Sequence, residues 1–127
     1  MGIGNQNDER SWFPTDIKIR DSPVVYICSP YSGDIRHNTE MARRYSRLAV
    51  DRGRVPITPH LWLPGFISEE NERELALGIG LRLLDLCDEV WACGDTISEG
   101  MREEIAHAVN TGIPVKYVKE EELYVCD

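Results

Sequence analysis

Apolar and polar positions fall in blocks along the chain, and the blocks differ in period. VVYIC, Val24 to Cys28, is short, rich in β-branched residues and apolar throughout, as in a strand buried on both faces. SPYSGD then supplies turn residues. Asn38 is positioned to cap a helix over TEMARRYSRLAVDR, where Met41, Tyr45, Leu48 and Ala49 recur at helical spacing and Gly53 ends the run. VPITP predicts a second strand, HLWLPGF a loop, and the next periodic stretch a helix from about Ser68 to Leu86. EVWAC predicts a third strand. A helix follows from Glu99 to Thr111, closed by Gly112 with Pro114 just beyond. PVKYV predicts a fourth strand, and the acidic tail KEEELYVCD receives no element.

Residues 1–23 read as a polar leader in which Trp12 and Phe13 have no evident docking place. Residues 24–127 read as one α/β domain, with no internal repeat and no low-complexity tract. Strands alternating with helices, and no hairpin signal between them, imply βαβ crossovers. The expected fold is a three-layer sandwich. Its parallel sheet has four or five strands in the flavodoxin-like or Rossmann-like order 2-1-3-4, with helices on both faces. Such sheets take ligands outside the carboxyl ends of their strands. The loops leaving the first three strands carry Ser29, Tyr31, Asp34, His60, Asp95, Ser98 and Gly100.

Charge narrows the partners. A formal net charge of −8, from 22 acidic and 14 basic side chains, argues against a nucleic-acid polymer, which needs a basic stripe. It leaves room for one small phosphorylated ligand at a helix N-terminus. Cys28, Cys87, Cys93 and Cys126 form no CxxC pair and the histidines have no metal-ligand spacing, so free thiols in a reducing cytoplasm and no metal or cofactor are expected. The run LALGIGL is too short to cross a bilayer, no signal-peptide pattern is present, and Gln6 stands where a myristoylation signal has Ser or Thr.

The helix opening at Glu99 separates two adjacent glutamates. At about 100° per residue, Met101, Ile105, Ala108 and Val109 form the stripe facing the sheet. Glu104 borders that stripe, and Glu103 points to solvent. A carboxylate at the edge of an apolar surface is partly desolvated, while the positive helix end favours its ionised form. It is then either a competent nucleophile or simply the flank of an amphipathic helix. Ser98 can cap this helix, and Gly100 admits a ligand close to free backbone N–H groups.

Other positions remain open between ligand and structure. Tyr31 can stack on a planar ligand or pack under its loop. Asp34 can bind a sugar hydroxyl or make an Asx-turn. His60 can touch a ligand or serve as a structural hydrogen-bonder. His37 and His107 read as exposed. Arg36 and Arg102 lie near the rim, where a phosphate is within reach.

The blocks YICSPYSGD, CDEVWACGD and SEGMREEIAHAVNTGIPV together resemble the nucleoside 2-deoxyribosyltransferase-like superfamily, over roughly Val24 to Val118. The resemblance looks closest to short phage and bacterial members of poorly defined function. It implies cleavage or transfer at the N-glycosidic bond of a (deoxy)nucleoside or its 5′-monophosphate. It makes Glu104, four residues after Gly100, the nucleophile, and gives the sugar's 5′ end to Ser98, Gly100 and Met101. It also implies a small-molecule partner and self-association, in which a neighbour's C-terminal tail, here ELYVCD, completes the site. Where the resemblance implies an aspartate on the helix before the third strand, contacting the ribose and assisting the leaving group, this chain has Gly80. The first loop offers Ser29, with Arg36 further on.

Two functions follow. One is an enzyme in which Glu104 attacks the anomeric carbon while Asp34, Asp95 or His60 orients the sugar or protonates the base. The other is a non-catalytic protein of the same fold that senses or sequesters a nucleotide. Gly80 favours the second, and Gly100 with Glu104 favours the first.

Overall fold

Strand-forming runs become strands where alternate side chains find a helix on each side. The computed structural model describes residues 19–124. Trp12, Phe13 and the end of the ELYVCD tail lie outside the described residues. A 3-10 turn at Ile19–Asp21 leads into β1, Val24–Cys28. There follow α1, Ile35–Asp51; β2, Val55–Ile57; α2, Arg73–Leu84; β3, Glu89–Cys93; α3, Glu99–Thr111; and β4, Val115–Val118. A 3-10 segment, Glu120–Tyr124, closes the described chain.

The four strands form one sheet in the order β2-β1-β3-β4, every pair parallel. Val24 lies opposite Val55, Val25 opposite Glu89, and Val90 opposite Val115. This is the expected order, and among the described residues the strand count is the smaller of the two expected. Because strand side chains alternate, each strand feeds two cores. Tyr26, Cys28, Val90 and Ala92 pack against Leu84 of α2 and Met101 and Ala108 of α3. Val25, Ile27, Trp91, Cys93 and Val118 pack against Tyr45 and Ala49 of α1, with Leu123 beside them. Each large side chain buried in this way contributes about 1.5–3 kcal/mol.

Three boundaries differ from the sequence reading. α1 is capped by Asp34, whose carboxylate accepts from the His37 N–H at 3.1 Å, not by Asn38. Asn38 lies inside the helix and its amide donates back to the carbonyls of Tyr31 and Ser32, pinning the preceding loop. Gly33, at φ 97°, turns the chain one residue before the cap, so the helix starts a turn earlier than expected. α2 begins at Arg73, not near Ser68. The intervening residues form a turn in which Ser68 Oγ accepts from the Asn71 N–H and the Ser68 N–H donates to Glu72. The expected loop HLWLPGF contains two 3-10 turns, Pro59–Leu61 and Leu63–Gly65. Among the described residues, no helix is long and apolar enough to cross a membrane.

Candidate active site

A cavity of about 550 Å³ opens at the carboxyl ends of β1, β2 and β3. Its lining includes Ser29, Tyr31, His60, Ser98, Gly100, Met101 and Glu104, seven of the residues singled out from the sequence. Tyr26, Glu69, Arg73, Gly80 and Glu103 line it as well. Glu103 is exposed, yet it belongs to this cavity, whereas the helix wheel turned it away.

Glu104 is the centre of the arrangement. The buried positions of α3 are Met101, Glu104 and Ala108, while Val109, expected in the stripe, is 64% exposed. The buried face is thus rotated, and Glu104 sits within it at 8% exposure. What admits a carboxylate there is a partner and a gap. Tyr26 points from β1 toward α3 and its hydroxyl donates to Glu104 Oε2 at 2.6 Å. Gly80, buried on α2, leaves the space: a Cβ at position 80 would stand 3.0 Å from the Tyr26 hydroxyl and 3.3 Å from Glu104 Oε2. The gap left by the missing side chain at 80 is therefore occupied by the Tyr26–Glu104 pair.

Burial pushes the Glu104 carboxyl above the usual glutamate range. The hydrogen bond from Tyr26, the Cys28 thiol and the field of His60 all pull the other way, and Glu69 adds to the rise, but desolvation prevails. Burial first, and the Glu104 charge second, hold the Tyr26 phenol protonated far above the tyrosine range. Tyr26 is therefore the donor and Glu104 the acceptor.

Two walls flank this pair. In one, Ser98 caps α3: its Oγ accepts from the Met101 N–H at 3.3 Å, and the Met101 sulfur receives the Ser98 N–H at 3.5 Å. The N–H groups of Glu99 and Gly100 are left without a helical acceptor. The space beside Gly100 is open, with nothing within 4 Å of where a Cβ would stand. Ser29 is 2% exposed, and its hydroxyl has no partner among the described residues. In the other wall the Tyr31 ring stacks on His60, with centroids 4.8 Å apart and planes at 28°, and His60 Nδ1 lies 3.4 Å from Glu69 Oε2.

Three candidates are not brought here. Asp34 is spent on capping α1, and Arg36 is exposed beside it, outside the cavity lining. Asp95 accepts from the Glu120 N–H at 3.2 Å and borders a separate depression with Tyr117 and Lys119. His107, read as exposed, is half-buried and pairs with Asp85 at 2.6 Å. Among the described residues, no group of three His, Cys, Asp or Glu is placed to hold a metal ion. Sequence reasoning missed Tyr26 and Glu69. For Tyr26 a signal existed, because a tyrosine in the middle of a doubly buried strand needs a partner for its hydroxyl. Glu69 sits in the acidic run SEENERE, which offers no means of choosing among its members.

A family model described as a domain of unknown function, DUF7768, matches residues 23–118. No curated protein matches the chain. Among solved structures, the chain is similar to a 2-deoxyribosyltransferase from the psychrotolerant bacterium Bacillus psychrosaccharolyticus, described as a biocatalyst for the synthesis of antiviral and antitumoral nucleosides. The TM-score is 0.59 at 21% identity, over 76% of this chain and 72% of that one. At that identity the likeness is one of fold, and it agrees with the fold the sequence blocks implied.

Proposed function

The chain belongs to the DUF7768 family, and we propose that it cleaves or transfers the N-glycosidic bond of a (deoxy)nucleoside or nucleoside 5′-monophosphate. The observation that carries this reading is the enclosed Glu104 carboxylate, held by the Tyr26 hydroxyl at 2.6 Å on the wall of a nucleoside-sized cavity. Glu104 attacks the anomeric carbon and forms a glycosyl ester as the base departs. Water, or a second base, then attacks the same carbon and releases Glu104. A dehydrated carboxylate of raised basicity is a stronger nucleophile than a solvated one, and the Tyr26 hydrogen bond holds it in one orientation. Ser29, Ser98, Gly100 and Met101 receive the sugar and its 5′ end, and Tyr31 borders the base. Self-association belongs to the same reading and rests on the sequence resemblance; a cytoplasmic location rests on the unpaired cysteines of the sequence.

Incubation with a panel of nucleosides and nucleoside 5′-monophosphates, monitored for free base, tests the proposal. Base release is expected from the wild type, a fall below detection in Glu104→Gln, and a sugar adduct on Glu104 by mass spectrometry with a slow-turnover analogue. Glu103→Gln is the comparison variant, with base release reduced far less than in Glu104→Gln. Equal activity in the two variants would reject the nucleophile. Gly80 favours the second reading, a protein that binds nucleotides without turnover. Tight binding with no base release from any member of the panel would select it.

A further inference from the structure

We propose that His60 is the acid that protonates the departing base, and that Glu69 is the positioning residue that holds it. This rests on the N-glycoside reading above, in which a base leaving as an anion needs a proton. The residue that the sequence resemblance implies for such help is absent, and no simple substitution restores it. Position 80 is glycine, and the volume beside it is filled by the Tyr26 hydroxyl and Glu104. Tyr26 is a poor substitute, because its proton is engaged with Glu104 and burial keeps the phenol from releasing it. Asp34 and Asp95, the other sequence candidates, are bound to backbone N–H groups away from the cavity.

His60 stands in the cavity lining and has the attributes the task requires. Histidine is the side chain that exchanges a proton near neutrality. Its Nδ1 faces Glu69 Oε2 at 3.4 Å, a loose contact of the kind that tightens when a substrate fills the site. A carboxylate on Nδ1 fixes that nitrogen as the donor to Glu69 and so sets the orientation of the ring. Nε2, on the other side of the ring, makes no hydrogen bond among the described residues and is left to carry the transferable proton. Tyr31 stacks on the imidazole and restricts its rotation. The charged and titratable groups that share the cavity with His60 come from several elements. Glu69 and Glu70 precede α2, Arg73 opens it, Tyr31 follows β1, and Glu104 lies on α3.

The step balances. A Glu104 oxygen forms a bond to the anomeric carbon as the carbon–nitrogen bond breaks. The bonding pair goes to the base nitrogen and the base takes the Nε2 proton, leaving neutral His60. In hydrolysis the water that resolves the ester returns a proton to Nε2, and Glu104 leaves as a carboxylate.

The test compares two substrates that differ in their need for a proton. A purine 2-deoxynucleoside needs one to lose its base. A 2-deoxyribosyl pyridinium carries a cationic base that leaves neutral without one. In His60→Gln, base release from the purine nucleoside should fall about a hundredfold or more, and release of the pyridine by less than about tenfold. Glu69→Gln should show the same selectivity to a smaller degree, with the purine loss falling on kcat and little of it on KM, and Glu69→Asp should recover part of that loss. Equal losses on the two substrates in His60→Gln, with Glu104→Gln inactive on both, would overturn the acid assignment and leave the nucleophile standing. Wild-type protein inert on both substrates, or Glu104→Gln active on the pyridinium, would overturn the underlying reading.

Discussion

Enclosing a carboxylate to 8% exposure costs free energy, and Glu104 offsets that cost only in part through the Tyr26 hydroxyl. The consequence for stability has a definite sign. A carboxyl raised in the folded state binds its proton more tightly there than in the unfolded chain. Its charge therefore weakens the fold as pH rises from the unfolded glutamate range toward the folded value, and the penalty is complete above it. Glu104→Gln should be more stable than wild type by about 1 kcal/mol at neutral pH, and nearly equal to it below the unfolded range. Urea melts at the two pH values measure this, and a less stable variant at neutral pH would contradict it. The wheel placed Glu104 at the edge of the apolar stripe because it counts only apolar residues of one helix. Tyr26, 78 positions earlier, and Gly80 on another helix turn that edge into a buried site. Neither can be related to Glu104 without the strand order.

At the scale of elements, periodicity located each strand and α-helix of the described residues but none of the 3-10 segments, and the element ends depended on local chemistry that periodicity does not register. Asp34 and Asn38 are both cap-forming residues four positions apart, and the left-handed turn at Gly33 decides between them. The helix on which a side chain is missing makes a sharper test. In an ordinary exposed helix, Gly→Ala stabilises by about 1 kcal/mol. At Gly80 the added carbon meets the Tyr26 hydroxyl at 3.0 Å, and Tyr26 is fixed in the core and cannot yield. Overpacking of this kind costs about 1–3 kcal/mol. Gly80→Ala is therefore expected to lower the melting temperature despite its better propensity, and to slow base release at least about tenfold by displacing the Tyr26–Glu104 pair. A stabilised, fully active variant would show that the pair tolerates the crowding.

Across the whole molecule, the net charge of −8 has a local counterpart in the cavity. Glu69, Glu70, Glu99, Glu103 and Glu104 line it against Arg73 and His60, and Arg36, the arginine expected near a phosphate, lies outside. A 5′-phosphate entering this field is repelled, whereas a free 5′-hydroxyl is not. Nucleosides should accordingly exceed their 5′-monophosphates in kcat/KM by at least about tenfold at low salt, roughly 1.4 kcal/mol. The gap should narrow as ionic strength rises. Preference for the monophosphate would instead locate an anion at the start of α3. The sheet that organises the cavity also separates it from Trp91, which lies fully buried in the opposite core beneath Arg52, Arg54 and Lys116. Trp62, by contrast, is exposed and stacked on Phe66 in the segment after β2. The two indoles thus make separate optical reporters. In a chain carrying Trp12→Phe and Trp62→Phe, the remaining emission should shift to the red only when the sheet comes apart.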